Sequence, residues 1–352
     1  MTIEVLGEQV DRLATLELDH REGDDTRTSR GKIETIYRGA RKKSSGPLCL
    51  EAAKRIIESQ KKSKNVIVST GWVIPFWYPH GEMCGMIGTV ALTRALVNGL
   101  GAKALFLSED VVQPVYEATC RAAGLRVYSS NEANRIPMGV LSETFPVDTE
   151  KAKKRAQSLL DEFKPSAVIT LERCAPNEKG IHHTGAGHSM SGSTSKIDQL
   201  VEEARRRGIL TVGVGDLGNE IGMAVVSDLV KELITYGNKC QCGCGGGIAS
   251  AAETDVTVVA SSSSRGGYGI SACIAGLLKR PDLPHDGETE VRMIEAASSM
   301  GAIDSFTVNP TLTDGHAMSA SVSAHLVELF RQLVRSEFES FPMYEAREKF
   351  GG

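Results

Sequence analysis

The stretch ILTVGVGDLGNEIGM, residues 209–223, decides how this chain is expected to fold. It begins with an apolar, β-branched run typical of a buried strand and then enters a turn rich in glycine and acidic side chains. Beyond the turn, from Met223 to Tyr236, apolar residues recur at helical spacing. A strand that leads through a glycine turn into a helix is the repeating unit of parallel α/β sheets. The acidic residues of this turn are therefore expected at the carboxyl end of a strand.

Further runs of strand character alternate with helical patterns along the chain. The other predicted strands are Val66–Ser69, Ala104–Leu107, Leu125–Tyr128, Ala167–Leu171 and Val256–Ala260. The other predicted helices are Met86–Leu100, Val112–Ala123, Asp148–Phe163, Ile197–Arg207 and Tyr268–Lys279, each about as long as a crossover requires. The pattern predicts an α/β fold, with an open, doubly wound, mostly parallel sheet flanked by helices in three Rossmann-like layers.

Composition predicts one domain and argues against one class of partner. The linker-like stretches do not separate regions of different composition, so we expect a polar N-terminal arm at 1–30, a single α/β domain at 31–340 and a C-terminal tail at 341–352. The chain of 352 residues is 41% hydrophobic and 24% charged, with a formal net charge of −4. That charge argues against nucleic acid as a partner.

The sequence also predicts where the protein resides. No apolar run approaches the length of a membrane span, and the first thirty residues lack the apolar core of a secretory signal. We therefore expect a cytoplasmic location, no membrane partner, and free thiols at the eight cysteines. A homo-oligomer is compatible with the sequence.

The glycine turn matches a dinucleotide-binding pattern through Gly213, Gly215 and Gly218. Two carboxylates within or beside the would-be phosphate loop, Asp216 and Glu220, would repel a pyrophosphate. A metal ion, an ammonium group or a proton suits them better, so no nicotinamide cofactor is expected. The alternative is that Asp216 only caps the following helix and Glu220 favours the positive end of its dipole.

Polar residues follow most of the predicted strands. In chain order they are Thr70, Gly71, Glu82, Cys84, Glu172, Arg173, Asp216, Ser264, Arg265 and Gly266. Because ligands of open parallel sheets bind beyond the carboxyl ends of the strands, these residues are expected to share one rim. The rim suits a small acidic substrate whose carboxylate is held by Arg173 or by helix amino ends. Its amine, or a metal ion, would be held by Glu82, Glu172 and Asp216.

Eight short motifs occur in the order and spacing of one known family. They are Gly213–Met223, Arg265–Tyr268, Leu171–Arg173, Ile197–Asp198, Thr70–Gly71, Gly85–Leu96, Gly301–Asp304 and Thr313–Gly315. Over roughly residues 30–335 the chain thereby resembles the D-glutamate cyclase family. The resemblance implies a hydro-lyase on an α/β fold that closes D-glutamate to 5-oxo-D-proline with loss of water, with Mg²⁺ or Mn²⁺ as a possible aid.

Two motifs depart from the family pattern. Glu82-Met83-Cys84-Gly85-Met86 stands where Glu-Thr-Asp-Gly-Pro is expected, and Ser263-Ser264-Arg265-Gly266-Gly267-Tyr268 stands where Ser-Asn-Trp-Gly-Gly-Tyr is usual. A carboxylate has become a thiol, and a guanidinium has been added. We therefore expect a substrate with less positive, or more negative, charge than an amino acid.

Ring closure of such a substrate needs a base, an oxyanion stabiliser and an acid. The predicted catalytic residues are Asp216 or Glu220 as base, Asn219 as oxyanion donor, and Glu82 or Glu172 as the second acid or base. The predicted substrate-binding residues are Thr70, Gly71, Cys84, Arg173, Gly215, Ser264, Arg265, Gly266, Asp304 and Asp314. The predicted metal ligands are Asp216, Glu220 and Glu172. The same groups would serve lactam hydrolysis in the reverse direction.

Two loops and one isolated cysteine carry further thiols and imidazoles. The run Cys240–Cys244 is predicted as a tight loop of thiols rather than a zinc site, because its one-residue spacings chelate poorly and no second pair follows. The histidines of Ile181–His188 are predicted to lie on a solvated or substrate-touching loop. Cys84 is predicted as a buried thiol, and as a nucleophile only if a histidine approaches it.

Three functional classes stay open on the sequence. The favoured one is a lyase or lactam-acting enzyme of the D-glutamate cyclase type. The second is a nucleotide-dependent oxidoreductase, which only the glycine spacing favours. The third is a non-catalytic small-molecule binding protein that uses the same rim.

Overall fold

The structure is a computed structural model that describes residues 2–18, 31–129, 132, 136–308 and 312–339. Its α-helices are α1 (Ile3–Ala14), α2 (Ile33–Arg41), α3 (Leu48–Ser59), α4 (Met86–Leu100), α5 (Gln113–Ala122), α6 (Thr149–Phe163), α7 (Ile197–Arg206), α8 (Ser227–Leu233), α9 (Ser263–Leu278), α10 (Gly287–Ser299) and α11 (Ala320–Arg335). Its strands are β1 (Asn65–Gly71), β2 (Lys103–Ser108), β3 (Gly139–Thr144), β4 (Ala167–Arg173), β5 (Leu210–Gly215) and β6 (Val256–Val259).

The strands form one sheet in the order β3-β2-β1-β4-β5-β6, and every neighbouring pair is parallel. Ile67 of β1 stands in register with Leu105 of β2 and with Val168 of β4. The strand order therefore runs outward in both directions from the β1–β4 pair, where the direction of the crossovers reverses. Ligands of such sheets bind beyond the carboxyl ends of the strands at this reversal.

Helices cover both faces of the sheet, because alternate strand residues point to opposite sides. Ile67 belongs to a core that includes Leu159 of α6 and Leu200 of α7. Val66 belongs to a larger core on the other face, which includes Ile274 of α9. The predicted three-layer α/β fold with a doubly wound parallel sheet is confirmed.

The third predicted strand, Leu125–Tyr128, is wrong. The edge position beside β2 is taken by β3, whose six residues pair in unbroken register with β2. Val127 makes only a single bridge, to Val140 of β3. Both segments have strand-like patterns, and the one with the longer continuous pairing forms the strand.

The helix predicted from Met223 to Tyr236 is shorter and less regular than expected. A 3-10 helix at Met223–Val226 precedes α8, which ends at Leu233. The chain thus leaves the glycine turn through a tight turn before the α-helix begins.

Residues 2–18, the described part of the predicted polar arm, contain the helix α1. Leu6, Val10 and Ala14 of α1 are buried in the core, four residues apart on one helical face. Asp11 accepts hydrogen bonds from the backbone N–H groups of Leu48 (2.6 Å) and Cys49 (3.0 Å), at the start of α3. The rest of the predicted arm from residue 19 to 30, and the predicted tail at 341–352, lie outside the described residues.

None of the helices in the described part of the chain combines the length and apolar character needed to cross a bilayer. The cytoplasmic location and the homo-oligomer stay predictions.

Candidate active site

The glycine turn after β5 is organised by its own glutamate. The Glu220 carboxylate accepts hydrogen bonds from the backbone N–H groups of Asp216 (3.3 Å), Leu217 (2.9 Å) and Gly218 (2.7 Å). Gly215 must lack a side chain, because a Cβ atom there would lie 2.8 Å from Glu220 Oε2. The turn therefore binds an internal carboxylate with the N–H groups that a pyrophosphate would need.

The position of this turn also argues against a dinucleotide. In doubly wound folds the dinucleotide fingerprint follows the first strand, whereas the turn of this chain follows β5. The glycine spacing, the one feature that favoured a nucleotide-dependent oxidoreductase, thus has another explanation.

A cluster of carboxylates lies at the carboxyl ends of β4 and β5. Ser263, the first residue of α9, donates its backbone N–H to Asp216 Oδ2 (3.0 Å) and its hydroxyl to Glu172 Oε2 (2.5 Å). Glu82 is buried in the same group, as its electrostatic interactions with Asp216 and Glu172 show. The structure thus brings together Glu82, Glu172, Asp216 and Glu220, as the sequence predicted.

The backbone at Glu172 is bent to direct its side chain into this cluster. Glu172 has φ 45°, in the left-handed region that a non-glycine residue rarely adopts. Gly85 provides the space, since a Cβ atom there would lie 2.3 Å from Glu172 Cβ and 2.6 Å from Thr70 Oγ1. A left-handed residue at the end of a central strand is typical of a functional site.

The cluster separates neutral from ionised carboxyl groups. Burial, followed by the charge of Asp216, raises the pKa of Glu82 and of Glu172 well above the usual range. Burial and Asp216 also raise the pKa of Glu220 to about 7, against its three backbone hydrogen bonds. For Asp216, burial opposes ionisation, but His316 outweighs it and lowers the pKa. Protonated glutamic acids therefore stand beside an ionised aspartate, an arrangement suited to acid–base chemistry.

His316 is the residue that sequence analysis missed. Its Nε2 lies 3.1 Å from Cys84 Sγ and 3.4 Å from Asp216 Oδ2. Asp314 accepts the backbone N–H of His316 (3.0 Å), and the ring packs edge-on against Phe306 at 4.7 Å. The signal was its position directly after the Thr-Asp-Gly motif.

Asp304 and Asp314 shape the segment that carries His316. Asp304 accepts the backbone N–H groups of Phe306 (2.9 Å), Thr307 (2.8 Å) and Ala317 (2.8 Å). Its carboxylate is fully occupied by this turn, so Asp304 is a positioning residue rather than the predicted substrate contact. Asp314, which holds the His316 backbone, has the same role.

Cys84 meets a histidine, the condition under which a nucleophile was predicted. Both contacts of His316 use the same ring nitrogen, so the ring does not link Asp216 to the thiol as a relay would. Burial raises the pKa of Cys84 to about 11, although His316 acts to lower it. The thiol is therefore protonated at neutral pH and is not prepared as a nucleophile.

The predicted metal ligands also meet. Glu172, Asp216 and Glu220 each offer an oxygen within 4.8 Å of the others, and all are buried. Carboxylate oxygens are the donors that Mg²⁺ and Mn²⁺ prefer, and a cation would offset the repulsion that raises these pKa values. The residues present thus fit a divalent cation.

Arg173 does not have the role predicted for it. Its guanidinium is fully buried, forms an ion pair with Glu109 at 2.5 Å, and donates to the Gly71 carbonyl (2.8 Å), Thr194 Oγ1 (3.1 Å) and the Ser195 carbonyl (2.9 Å). Arg173 is a structural residue that ties the end of β1 to neighbouring loops, instead of a clamp for the substrate carboxylate. Arg173 was predicted to bind substrate because it stands at the end of a strand, and that position does not reveal its partners.

The Arg173 pair predicts a pH dependence of stability. Burial opposes ionisation of Glu109, but Arg173 outweighs it and lowers the pKa from 4.5 to about 2. A folded-state pKa below the unfolded one stabilises the protein above the unfolded pKa, and this contribution disappears as the pH falls through 4.5 toward 2. Glu109→Gln should therefore be less stable than wild type near about pH 6, with a difference that shrinks toward about pH 3. Thermal unfolding across that range tests this, and a constant difference would contradict it.

Arg265, Ser264 and Gly266 serve the packing of α9. Arg265 is buried and donates to the Leu16 carbonyl (2.8 Å) and to Ser261 Oγ (2.7 Å), and it lies 3.6 Å from Asp314. Ser264 Oγ accepts the N–H groups of Gly85 and Gly88, both at 3.1 Å, at the start of α4. These are structural contacts, so the added guanidinium no longer indicates a more negative substrate.

Gly266 allows α9 to approach the sheet, since a Cβ atom there would lie 2.4 Å from Val214 Cγ1. Its predicted contact with substrate is therefore replaced by a packing role.

Two rim residues keep unused hydrogen-bonding atoms. Among the described residues, nothing hydrogen-bonds to Thr70 Oγ1 or to Asn219 Oδ1, and both atoms are buried. Asn219 Nδ2 donates one of its two hydrogens to the His183 carbonyl at 2.9 Å, so Asn219 offers an unused acceptor, and the oxyanion-donor role stays a prediction. Buried polar atoms without partners are rare, and here they point to a ligand.

A cleft of about 590 Å³ lies farther along the same edge of the sheet, beyond β2 and β3. Glu109, Thr144 and Lys151 lie on its wall, whereas the four carboxylates of the cluster are buried and do not line it. The segment carrying His316 packs closely on the cluster, because a Cβ atom at Gly315 would lie 2.3 Å from the Cys84 backbone nitrogen.

The histidine loop is not the solvated loop that the sequence predicted. His182 is buried and its Nε2 lies 3.0 Å from Asp198, while His183 is buried against the cysteine loop. Burial lowers the pKa of His183 and favours its neutral ring. Only the third histidine, His188, is exposed.

Comparison with known proteins identifies the family of this chain. The family described as D-glutamate cyclase-like, C-terminal, matches residues 33–329. The human protein D-glutamate cyclase, mitochondrial, is 26% identical over 237 residues, which cover 64% of this chain and 35% of that protein. The chain thus spans about a third of the length of this relative. Because the family match extends over most of the 352 residues, the chain belongs to the D-glutamate cyclase-like family, and the resemblance of its motifs is confirmed.

Proposed function

We propose that this protein is a hydro-lyase of the D-glutamate cyclase type. It closes a glutamate-like acid to a 5-oxoproline-like lactam, or opens such a lactam in the reverse direction. The observation that supports this most strongly is the buried cluster in which Glu82 and Glu172 carry raised pKa values beside an ionised Asp216. Membership of the family supports an activity of the cyclase or lyase kind.

Ring closure forms a C–N bond between the substrate amine and its side-chain carboxyl carbon, and one water leaves. Asp216 is ionised and accepts the proton that the ammonium group must lose. A protonated Glu172 or Glu82 donates one proton to the departing oxygen, and the nitrogen, after it has attacked, supplies the second proton with which this oxygen leaves as water. Asp216 then returns its proton to that glutamate. Burial keeps bulk water out of the cluster, which strengthens its electrostatic interactions with the substrate.

His316 holds Asp216 in its ionised form. Its Nε2 contacts the same oxygen, Oδ2, that accepts the Ser263 N–H.

A divalent cation, when bound by Glu172, Asp216 and Glu220, would polarise the reacting carboxyl group. These oxygens also fit an ammonium group, so the same cluster would serve the reaction with or without metal.

The α-carboxylate of the substrate needs donors other than the arginines, which are occupied by the protein. The amino ends of α4 and α9 meet at this rim through Ser264, but their N–H groups at Gly85, Gly88 and Ser263 already donate to Ser264 and Asp216. The Thr70 hydroxyl is unused, and it can donate to a carboxylate in the positive field of the two helix ends. Since all of these groups are buried, substrate entry requires movement of a covering segment.

Proton NMR of the purified protein tests the proposal. D-glutamate, L-glutamate, 5-oxo-D-proline and related lactams are each incubated with protein, with and without Mn²⁺. We expect interconversion of at least one acid–lactam pair, with a preference for one enantiomer. Absence of conversion of every compound by folded protein, in both metal conditions, would overturn the proposal. Binding without conversion would favour a small-molecule binding protein.

A further inference from the structure

A second chemical cluster lies away from the carboxylates, where the histidine loop meets the cysteine loop. His183 Nε2 lies 3.2 Å from Cys242 Sγ and 3.7 Å from Cys244 Sγ. Cys240 Sγ lies 3.3 Å from Cys242 Sγ and 3.5 Å from Cys244 Sγ. All four ligand atoms are within 4.8 Å of one another. We propose that these residues bind one zinc ion.

The spacing of the four atoms fits a zinc tetrahedron. With Zn–S bonds of about 2.3 Å and a Zn–N bond of about 2.0 Å, tetrahedral angles separate two sulfurs by about 3.8 Å and a sulfur from a nitrogen by about 3.5 Å. The observed separations of 3.2–3.7 Å differ from these values by no more than about 0.5 Å. Small side-chain adjustments would complete the geometry.

The one-residue spacing of the cysteines is overcome by the shape of their loop. Gly243, between Cys242 and Cys244, and Gly245, directly after Cys244, have φ of 78° and 80°, which lets the chain fold back on itself. The Cys240 N–H donates to the Gly246 carbonyl at 2.9 Å, which closes the loop. The sequence pattern had argued against zinc because of the one-residue spacing and because no second pair follows, but the fourth ligand, His183, lies 57 residues before Cys240 in the chain.

Contacts around the cluster join the two loops independently of metal. The backbone N–H of Gln241 donates to the Gly187 carbonyl (2.9 Å), and its side chain donates to the Ala186 carbonyl (2.8 Å). Asn177 Nδ2 donates to Cys244 Sγ at 3.4 Å, the type of outer contact that supports a thiolate ligand. The site is therefore supported from outside as well as closed within.

The donor set selects the class of metal and its role. Three thiolates and an imidazole suit zinc, whereas Mg²⁺ and Mn²⁺ prefer oxygen donors. Four protein ligands leave no open position, so the zinc is structural. Its effect would reach the carboxylate rim through His183, whose carbonyl accepts the Asn219 side chain at 2.9 Å. This inference does not depend on the proposed reaction.

Metal analysis of the full chain tests the inference. Protein purified under reducing conditions should contain about one zinc per chain, and Co²⁺ exchanged into it should show the thiolate charge-transfer and tetrahedral d–d bands expected of Cys₃His ligation. Cys242→Ser and His183→Ala should weaken zinc binding by at least about tenfold. His188→Ala, an exposed histidine of the same loop, is the matched control and should keep the zinc.

Several results would overturn the inference. They are reduced wild-type protein that takes up neither zinc nor cobalt, cobalt bands without thiolate character, and a Cys242→Ser variant that keeps its zinc. The cobalt spectrum needs no variant, so it decides the question even if the variants fold poorly. Removal of zinc by a chelator should also lower the melting temperature of wild type, and an unchanged melting temperature would contradict a structural role.

Discussion

Asp216→Asn is expected to lower turnover of the acid–lactam substrate by about 10²–10⁴-fold while the protein stays folded. The substitution keeps the size of the side chain and an oxygen that accepts the Ser263 N–H, but it removes the charge. Without that charge, the cluster loses its ionised base. The pKa values of Glu82 and Glu172 also fall, because the charge of Asp216 helps to raise them. The charged base is therefore lost, whereas burial, the larger cause of the raised pKa values, still favours the neutral form of Glu82 and Glu172.

The stability of this variant should separate function from folding. Burial disfavours the Asp216 charge, but His316 and hydrogen bonds from Glu172 and Ser263 lower its pKa, so the charge stabilises the fold above the unfolded pKa. We therefore expect a modest fall in melting temperature in a protein that stays folded under assay conditions. The loss of turnover should be far larger than that fall explains.

The measurement is NMR turnover with thermal unfolding of the same preparations. Asp228→Asn, at an exposed position on α8, makes the same chemical change outside the cluster and should leave both quantities unchanged. Wild-type turnover in Asp216→Asn would remove Asp216 from the mechanism. A change in affinity alone, with no turnover in either protein, would indicate a binding protein instead of an enzyme.

The fold was largely predictable because its signals are local. Strands buried on both faces read as continuous apolar runs, and crossover helices show the period of 3.6 residues. The strand prediction was wrong where the local pattern is ambiguous. Leu125–Tyr128 and Gly139–Thr144 both resemble strands, and long-range pairing with β2 decides between them. The helix α1 was missed because its few apolar residues are separated by charged ones.

The site was predictable to the extent that the sheet itself assembles it. Glu172 and Asp216 follow neighbouring strands, so their meeting follows from parallel topology. His316 and the His183–cysteine cluster depend on how long loops fold back, and no periodicity encodes that. The role of Arg173 was misjudged for a related reason, since a buried arginine is identified by its partners, and Glu109 lies 64 residues before it.

Arg173→Met is expected to lower the free energy of unfolding by about 3–5 kcal/mol, because it leaves the buried Glu109 carboxylate without its partner. For 352 residues this corresponds to a fall in melting temperature of roughly 4–7 °C. A substrate clamp at the surface of a site would behave differently. Its removal would raise KM and leave the melting temperature near that of wild type.

Two controls make this outcome specific. Arg121→Met removes an exposed arginine that pairs with Glu117 along α5, and it should change stability by less than about 1 kcal/mol. Glu109→Gln combined with Arg173→Met should destabilise less than the sum of the single changes, because the double variant leaves no unpaired buried charge. Additive effects would contradict the pairing that the structure shows.

The result also decides how substrate is held. Arg173 anchors the Gly71 carbonyl, and hence the carboxyl end of β1 beside Thr70. If its removal acts through stability, another donor must bind the substrate carboxylate, and in the described part of the rim the Thr70 hydroxyl is unused and lies in the positive field of the amino ends of α4 and α9. Thr70→Val should then raise KM in a protein of wild-type stability. The main effect of Arg173→Met should instead be a lower melting temperature.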